Sequence, residues 1–323
     1  MESKKCVHCG ICTQNCLILQ KYGMDIGKIQ SHPELAYHCF LCGRCTQVCP
    51  LGIDGRENFL SIRQELVQKN NGKLPEKGYG ALLWEKRNYR FANYHTATGS
   101  CVLFPGCNFP SFYPKATRQI SRLLKEKAGI GTVFDCCGKP LAELGLSQQD
   151  SIQALEQRLM AQGIKQLVML CPNCYHFLKP RLHISVVSIY EKLIELGLGK
   201  VISEPLLLFP PCPDRANREL LGHIRPFLAS EPDMLEQIQC CGLGGCAGGK
   251  ESRLAQQMGQ QAAKASLESG RQLMTYCASC AGNFVRNGCP DTGHILLRIL
   301  EIQKQPQIKM SVINRAKTKY WRG

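Results

Sequence analysis

Beyond residue 100 the chain alternates short apolar runs with longer stretches in which apolar residues recur every three or four positions. The runs at 102–105, 132–135 and 166–170 read as strands, and the stretches at 114–127 and 148–162 carry a helical period. A closing helix is expected over 185–196. The order β-α-β-α-β predicts a small parallel sheet covered by helices. Ahead of it, 58–69 reads as a helix. The stretch 70–98, with its Asn, Gly and Pro and scattered aromatic and basic residues, reads as a linker wrapping the next domain.

The pattern then repeats. Phe104-Pro-Gly-Cys107, Cys136-Cys137-Gly138 and Cys171-Pro-Asn-Cys174 return as Phe209-Pro-Pro-Cys212, Cys240-Cys241-Gly242 and Cys277-Ala-Ser-Cys280. Matching cysteines are 105 residues apart for Cys107 and Cys212, 104 for Cys136 and Cys240, and 106 for Cys171 and Cys277. Three landmarks in step over a hundred residues mark an internal duplication. Every landmark follows a predicted strand, and in an open parallel sheet the carboxyl ends of the strands share one edge, where ligands bind. Cys107, Cys136, Cys137, Cys171 and Cys174 are therefore expected at one site, and Cys212, Cys240, Cys241, Cys277 and Cys280 at a second. Pro172 suits the first turn of a helix whose amino end would face the thiolates. Five cysteines exceed what a cubane takes, and the side chains of a vicinal pair diverge. That pair suits an irregular cluster or a bridging thiolate, or else one or two of the five are buried packing thiols.

Of the 21 cysteines, eight fall in the first 49 residues. They form two C-x2-C-x2-C-x3-C runs, Cys6, Cys9, Cys12, Cys16 and Cys39, Cys42, Cys45, Cys49, the second followed by Pro50 and the first by Leu17. This is the spacing of a two-cluster bacterial ferredoxin, in which the fourth thiolate of each run serves the other cluster. Cys6, Cys9, Cys12 and Cys49 are thus assigned to one [4Fe–4S] cubane, and Cys39, Cys42, Cys45 and Cys16 to the other. Zinc has no use for the third cysteine of each run. A disulfide framework is disfavoured because no room for an apolar leader precedes Cys6, so a reducing, cytoplasmic setting is expected.

The formal charge of +15 invites a nucleic-acid reading, but cluster thiolates remove much of that excess, about two net negative charges per cubane. What remains is local: Lys309, Arg315, Lys317, Lys319 and Arg322 flank Tyr320 and Trp321. This basic stretch reads as a solvated tail, with docking to an acidic redox partner or an anionic membrane surface as the alternatives. No apolar run approaches a membrane span. Gly244 and Gly249-Lys250 fit a phosphate loop, but Glu251 stands where Ser or Thr must hold magnesium, so nucleotide binding is rejected. Gly242, Gly244, Gly245, Gly248 and Gly249 are read instead as letting backbone N–H groups approach cluster sulfurs. Cys101, Cys246 and Cys289 read as packing thiols, and His176 and His294 as structural.

At the Cys-Cys-Gly landmarks the chain resembles the family of heterodisulfide reductase iron–sulfur subunits. The same family includes the iron–sulfur subunits of anaerobic glycerol-3-phosphate dehydrogenase, glycolate oxidase and lactate utilisation. The resemblance covers residues 1 to about 303 and implies the following organisation. The fold is α+β: a ferredoxin-like helical dicluster module (1–69), a linker (70–98), two repeated small α/β parallel-sheet CCG domains (99–198 and 199–305) and a basic tail (306–323). The five-cysteine pattern, which in heterodisulfide reductase binds non-cubane [4Fe–4S] clusters that split a disulfide, carries over by this resemblance to all ten cysteines of the two sites. The 28 residues between Cys107 and Cys136 are somewhat few for the family, and Cys101 would leave 34, but Cys107 matches Cys212 of the other copy.

The leading functional expectation is an electron-transfer subunit of an oxidoreductase complex. Two cubanes would be joined by one or two further clusters, with a flavoprotein dehydrogenase or a quinone-linked membrane subunit as partner and no nucleic acid. No flavin or dinucleotide fingerprint is present, so hydride chemistry falls to a partner. The alternative makes the chain a disulfide reductase acting at Cys136, Cys137, Cys240 and Cys241. A zinc- or nucleic-acid-binding module is the third reading. The expected location is the cytoplasm or the inner face of its membrane.

Overall fold

The computed structural model describes residues 6–323; residues 1–5, counted above in the first module, lie outside the described residues. Each ferredoxin-type run winds around a left-handed glycine. Gly10 (φ 77°) and Gly43 (φ 74°) each lead into a one-turn helix, Ile11–Gln14 and Arg44–Gln47, and so bring three cysteines of the run into one tight loop. The module closes with the Gly55–Lys69 helix, whose first turn is capped by Asp54 accepting from Glu57 N at 3.0 Å.

Two sheets follow. The first has the order β1-β3-β2-β4-β5, with β1 (Asn93–Thr96), β2 (Cys101–Phe104), β3 (Gly131–Phe134), β4 (Gln166–Met169) and β5 (Ser185–Ser188). The second has the order β7-β6-β8-β9, with β6 (Leu207–Phe209), β7 (Asp233–Met234), β8 (Leu273–Thr275) and β9 (Gly293–His294). Apart from β1, every pairing is parallel, and β3-β2-β4-β5 matches β7-β6-β8-β9 strand for strand. The duplication seen in the cysteine spacing is a duplication of topology. The helices Pro114–Ala128 and Gln149–Ala161 lie within one residue of the expected 114–127 and 148–162.

Three expectations are corrected. The closing helix over 185–196 begins as strand β5, because Ser185-Val-Val-Ser188 presents β-branched residues to the sheet edge; the helix starts only at Ile189, where Ser188 and Glu191 form a capping box. The linker contributes a helix, Gly80–Lys86, and the antiparallel edge strand β1. The tail is not a solvated one. Its Ser311–Lys317 helix buries Asn314, which donates to Ser111 O at 3.1 Å, and Asn93 donates to the carbonyls of Thr318, Lys319 and Trp321.

The second sheet is the central layer. Alternation along β6 sends Leu208 into a core shared with the first sheet domain and Leu207 and Phe209 into a core shared with the ferredoxin module. Arg63 joins all three units. Fully buried, it donates to the carbonyls of Ala36 and Cys39 in the ferredoxin module, Glu143 in the first sheet domain and Gly245 in the second, at 2.6–3.0 Å.

Candidate metal centres

Strand ends and helix starts deliver the thiols. In the first repeat Cys107, Cys136 and Cys171 stand just beyond β2, β3 and β4, and Cys171 caps the Pro172–Leu178 helix that carries Cys174. Gly106 (φ +69°) makes room for this set, since a Cβ there would lie 2.8 Å from Cys174 Sγ. The five thiols follow one another as neighbours in one row, Cys107 to Cys136 to Cys137 to Cys174 to Cys171. The second repeat gives the same row, Cys212 to Cys240 to Cys241 to Cys280 to Cys277. Each vicinal pair thus interacts side chain to side chain, contrary to the divergence expected from the sequence; a left-handed glycine, Gly138 or Gly242, follows each pair.

Within each row the thiols split: neighbouring thiols and burial push Cys107, Cys136, Cys174, Cys240 and Cys280 up, while a partner thiol draws others down. Hydrogen bonds from Cys136 and Cys174 hold Cys137 down at about 5, and bonds from Cys240 and Cys280 hold Cys241 well below the usual thiol range. Cations complete each site. Near the first, burial would discharge Lys86, but Cys107 and Cys136 hold its pKa above the ordinary value, and Arg315 is drawn to Cys107 in the same way. Near the second lies Arg215, buried, donating to Gln239 O at 2.6 Å, with its guanidinium over the Phe209 ring and the thiols of Cys212, Cys42, Cys240 and Cys280 around it.

In the ferredoxin module Cys6, Cys9, Cys12 and Cys49 line one small cavity. Cys6 also lies beside Asp25, which is held by His8 Nδ1 at 2.9 Å. Cys16 sits with Cys39, Cys42 and Cys45. Burial and the neighbouring Cys42 charge push Cys16 up to about 12, whereas a hydrogen bond from Cys240 holds Cys42 down at about 6. That last contact links the ferredoxin module to the second five-cysteine row. Gln239 reinforces it, accepting from Leu17 N at 2.6 Å and donating towards Cys16 and Cys42 Sγ at 3.4 and 3.7 Å. The two five-cysteine rows in turn face each other across their CxxC turns: Asn173 Nδ2 reaches Cys277 Sγ at 3.7 Å, and Asn108 Nδ2 donates to Ser279 Oγ at 2.8 Å.

The remaining cysteines stand apart. Cys101 opens β2 and donates to Gln166 Oε1 at 3.2 Å; Cys246 reaches Pro140 O, and Cys289 is buried. His176 pairs with buried Asp214 at 2.8 Å, and His294 caps the Ile295–Ile299 helix. The glycine loop after Cys241 does two jobs. Gly242 N approaches Cys240 Sγ at 3.3 Å, but Gly244 and Gly245 are small because Phe40 and Cys39 carbonyls press on them: a Cβ on Gly245 would meet Cys39 O at 2.4 Å. Glu251 is buried and receives Lys21, Tyr22 and His38 of the ferredoxin module at 2.7–2.8 Å, so it is an anchor between modules. Arg63, Arg215, Gln239 and Lys86 were not singled out in the sequence, since isolated Arg, Lys and Gln residues carry no spacing signal. A groove of about 940 Å³ runs between the Gly55–Lys69 helix and the first sheet domain, lined among others by Arg56, Lys139, Glu143, His176, Arg181 and Pro213 and by none of the thiols.

Thiol rows at the carboxyl edges of duplicated parallel sheets, joined to a paired ferredoxin-type loop module, define an iron–sulfur protein. The 4Fe-4S dicluster domain matches residues 2–53 and the cysteine-rich CCG domain matches residues 101–179 and 206–285. The chain belongs to the family that combines these domains, the heterodisulfide reductase-like iron–sulfur proteins. It is 23% identical over 288 residues to an uncharacterized iron-sulfur protein of Methanococcus maripaludis, covering 78% of this chain and 57% of that one. To one of the subunits of the dihydromethanophenazine:CoB–CoM heterodisulfide reductase of Methanosarcina barkeri it is 24% identical over 301 residues, 79% of this chain and 74% of the relative. To the EtfAB:quinone oxidoreductase of Syntrophomonas wolfei it is 27% identical over 179 residues, 45% of this chain and 25% of that protein. A crystal structure of a hypothetical protein from Helicobacter pylori shares the fold, with a TM-score of 0.53 at 11% identity over 97% of this chain and 71% of that one.

Proposed function

We propose that the chain is the electron-relay subunit of an oxidoreductase complex, with Cys6, Cys9, Cys12 and Cys49 holding one [4Fe–4S] cubane and Cys39, Cys42, Cys45 and Cys16 another. Cys107, Cys136, Cys137, Cys171 and Cys174, and Cys212, Cys240, Cys241, Cys277 and Cys280, would hold the further clusters. The donor chemistry fits: every set is thiol-only and most of the thiols are buried, and in each five-cysteine set one thiol, Cys137 or Cys241, is held below the usual thiol range by its neighbours. When bound, such clusters supply one-electron redox chemistry. The observation that carries the reading is the continuity of the sets, from Cys16 and Cys42 through Gln239 to the second row and from Cys277 through Asn173 to the first row. The residues around them exclude water and offset negative charge through Arg215, Lys86 and Arg315. The names of the relatives, among them subunits of a heterodisulfide reductase and a quinone oxidoreductase, support a flavin, quinone or disulfide partner. The thiol-rich composition supports residence in a reducing compartment. No helix among the described residues is long and apolar enough to cross a membrane.

The decisive experiment is iron and sulfide quantification with low-temperature EPR on anaerobically purified protein. Four four-iron sites predict roughly sixteen irons per chain; a colourless, zinc-bearing protein refutes the reading. The likeness to a heterodisulfide reductase subunit favours a second reading, direct disulfide reduction by this chain. It predicts loss of disulfide reductase turnover in Cys136→Ala or Cys240→Ala with the ferredoxin-type signals intact, and unaffected turnover in both would reject it.

A further inference from the structure

The C-terminal helix is amphipathic the wrong way round for a surface helix. Apart from exposed Lys317, its polar residues point inward: Asn314 bonds Ser111 O and Gln307 Oε1, Ser311 O accepts from Ser111 Oγ, Arg315 pairs with Glu85 at 2.7 Å, and Thr318 just beyond the helix is buried. Its apolar residues point outward, with Met310 43%, Val312 59% and Ile313 47% exposed, and Tyr320 just beyond is 75% exposed. Ile313 and Lys317 are four residues apart on the helix and share a face, and Lys309 is exposed in the turn just before it, so exposed lysines stand at both ends of the apolar stripe. From residue 302 to the end the chain holds no Asp or Glu, and Lys304, Lys309, Lys317, Lys319 and Arg322 are all exposed. Lys304 continues into a basic groove with Lys115, Arg118 and Arg122, and Arg118 lies over the Trp321 ring.

From this we infer that the Ser311–Lys317 helix is a docking face for an anionic membrane surface. Apolar side chains flanked by lysines, with an aromatic residue at the edge, are the features of an interfacial helix. Protein interfaces deplete lysine and favour arginine and aromatic anchors, the opposite of what is exposed here. Lysine stems lie along apolar surface while their ammonium groups reach phosphates. The inward side of the same helix carries Arg315, whose guanidinium bonds Asn108 Oδ1 at 3.3 Å next to Cys107. Docking therefore sets the first five-cysteine row directly beneath the membrane-facing helix. This inference does not depend on how many clusters the chain holds.

The test is co-sedimentation of the full, cluster-loaded chain with phosphatidylcholine vesicles and with vesicles of phosphatidylcholine mixed with phosphatidylglycerol. Binding to the anionic vesicles only, weakening with salt, is expected. Val312→Ser with Ile313→Ser should lower the partition coefficient by tenfold or more, and Lys309→Gln with Lys317→Gln by on the order of tenfold at low salt. All four positions are exposed, and unchanged iron content and circular dichroism would establish that the variants are folded. Absence of binding by the parent chain, or binding that both double variants retain, would overturn the inference. So would vesicle-independent association that these substitutions abolish, whether with a second copy in gel filtration or with a co-purified subunit, since the face would then belong to a protein partner.

Discussion

Replacing Arg63 by Met should loosen all three modules at once. The guanidinium makes five hydrogen bonds to four carbonyls, those of Ala36, Cys39, Glu143 and Gly245, and it is fully buried. Methionine keeps the aliphatic stem and its packing against Tyr37 but no donor. Each charged hydrogen bond contributes about 1.5–3 kcal/mol, and each carbonyl left buried and unpaired costs about 1–3 kcal/mol. Relief of the buried charge offsets part of this, so a net loss of about 3–5 kcal/mol is expected. The assay is hydrogen–deuterium exchange of the cluster-loaded protein, read over peptides spanning 35–42, 140–147 and 243–247. Because the four carbonyls belong to three modules, protection should fall in all three peptides together, by on the order of a hundredfold or more. Arg63→Lys, which cannot reach four carbonyls from one ammonium, should fall between. Loss confined to the ferredoxin-type peptide, or below tenfold everywhere, would refute the view that this side chain couples the modules.

Other expectations follow from the same contacts. Arg215→Gln removes the cation shared by Cys42, Cys240, Cys212 and Cys280, so EPR-monitored redox titration should show the two centres proposed there shifted to lower potential together, with the one proposed at Cys6, Cys9, Cys12 and Cys49 unmoved. Gly245→Ala drives a Cβ to 2.4 Å from Cys39 O at a φ of +59° and should cost about 1–3 kcal/mol in chemical unfolding. Gly249→Ala, with no atom within 4 Å, should stay within about 0.5 kcal/mol of the parent. His294 is held by burial at about 3, far below its unfolded value near 6.5. The unfolded chain therefore takes up the proton first, stability is complete above about pH 6.5, and it falls by about 1 kcal/mol per pH unit as the pH drops from there towards 3. His294→Gln should flatten that slope in unfolding curves taken between about pH 7 and about pH 5.5.

The thiol sets and the duplication were legible because both are short-range facts. Three cysteines three residues apart, with a glycine between two of them, come together in one tight loop, and a strand followed closely by Cys carries its thiol to the sheet edge whatever lies elsewhere in the chain. The helices over 114–127 and 148–162 were legible for the same reason, since periodicity needs no partner. The strand at Ser185–Ser188 was hidden inside a helical segment because four residues at a sheet edge leave too little pattern to outweigh the helix that follows. The tail was misjudged because its helix buries Asn314 and Thr318 and exposes Val312 and Ile313, so its composition read as solvated while its hydrogen bonds tie it to Asn93 and Ser111.

What the sequence by itself determined is the inventory: two ferredoxin-type sets, two five-cysteine sets and the repeat that carries the latter. Which set touches which was decided by tertiary packing alone. Gln239, beside Cys240, reaches Cys42 across 197 residues of chain, and Asn173 reaches Cys277 across 104, separations at which no local spacing rule operates. Arg63, Arg215, Gln239 and Glu251 fix those meetings through buried hydrogen bonds to other modules, and a buried donor becomes recognisable only once the carbonyls and thiols around it are in place.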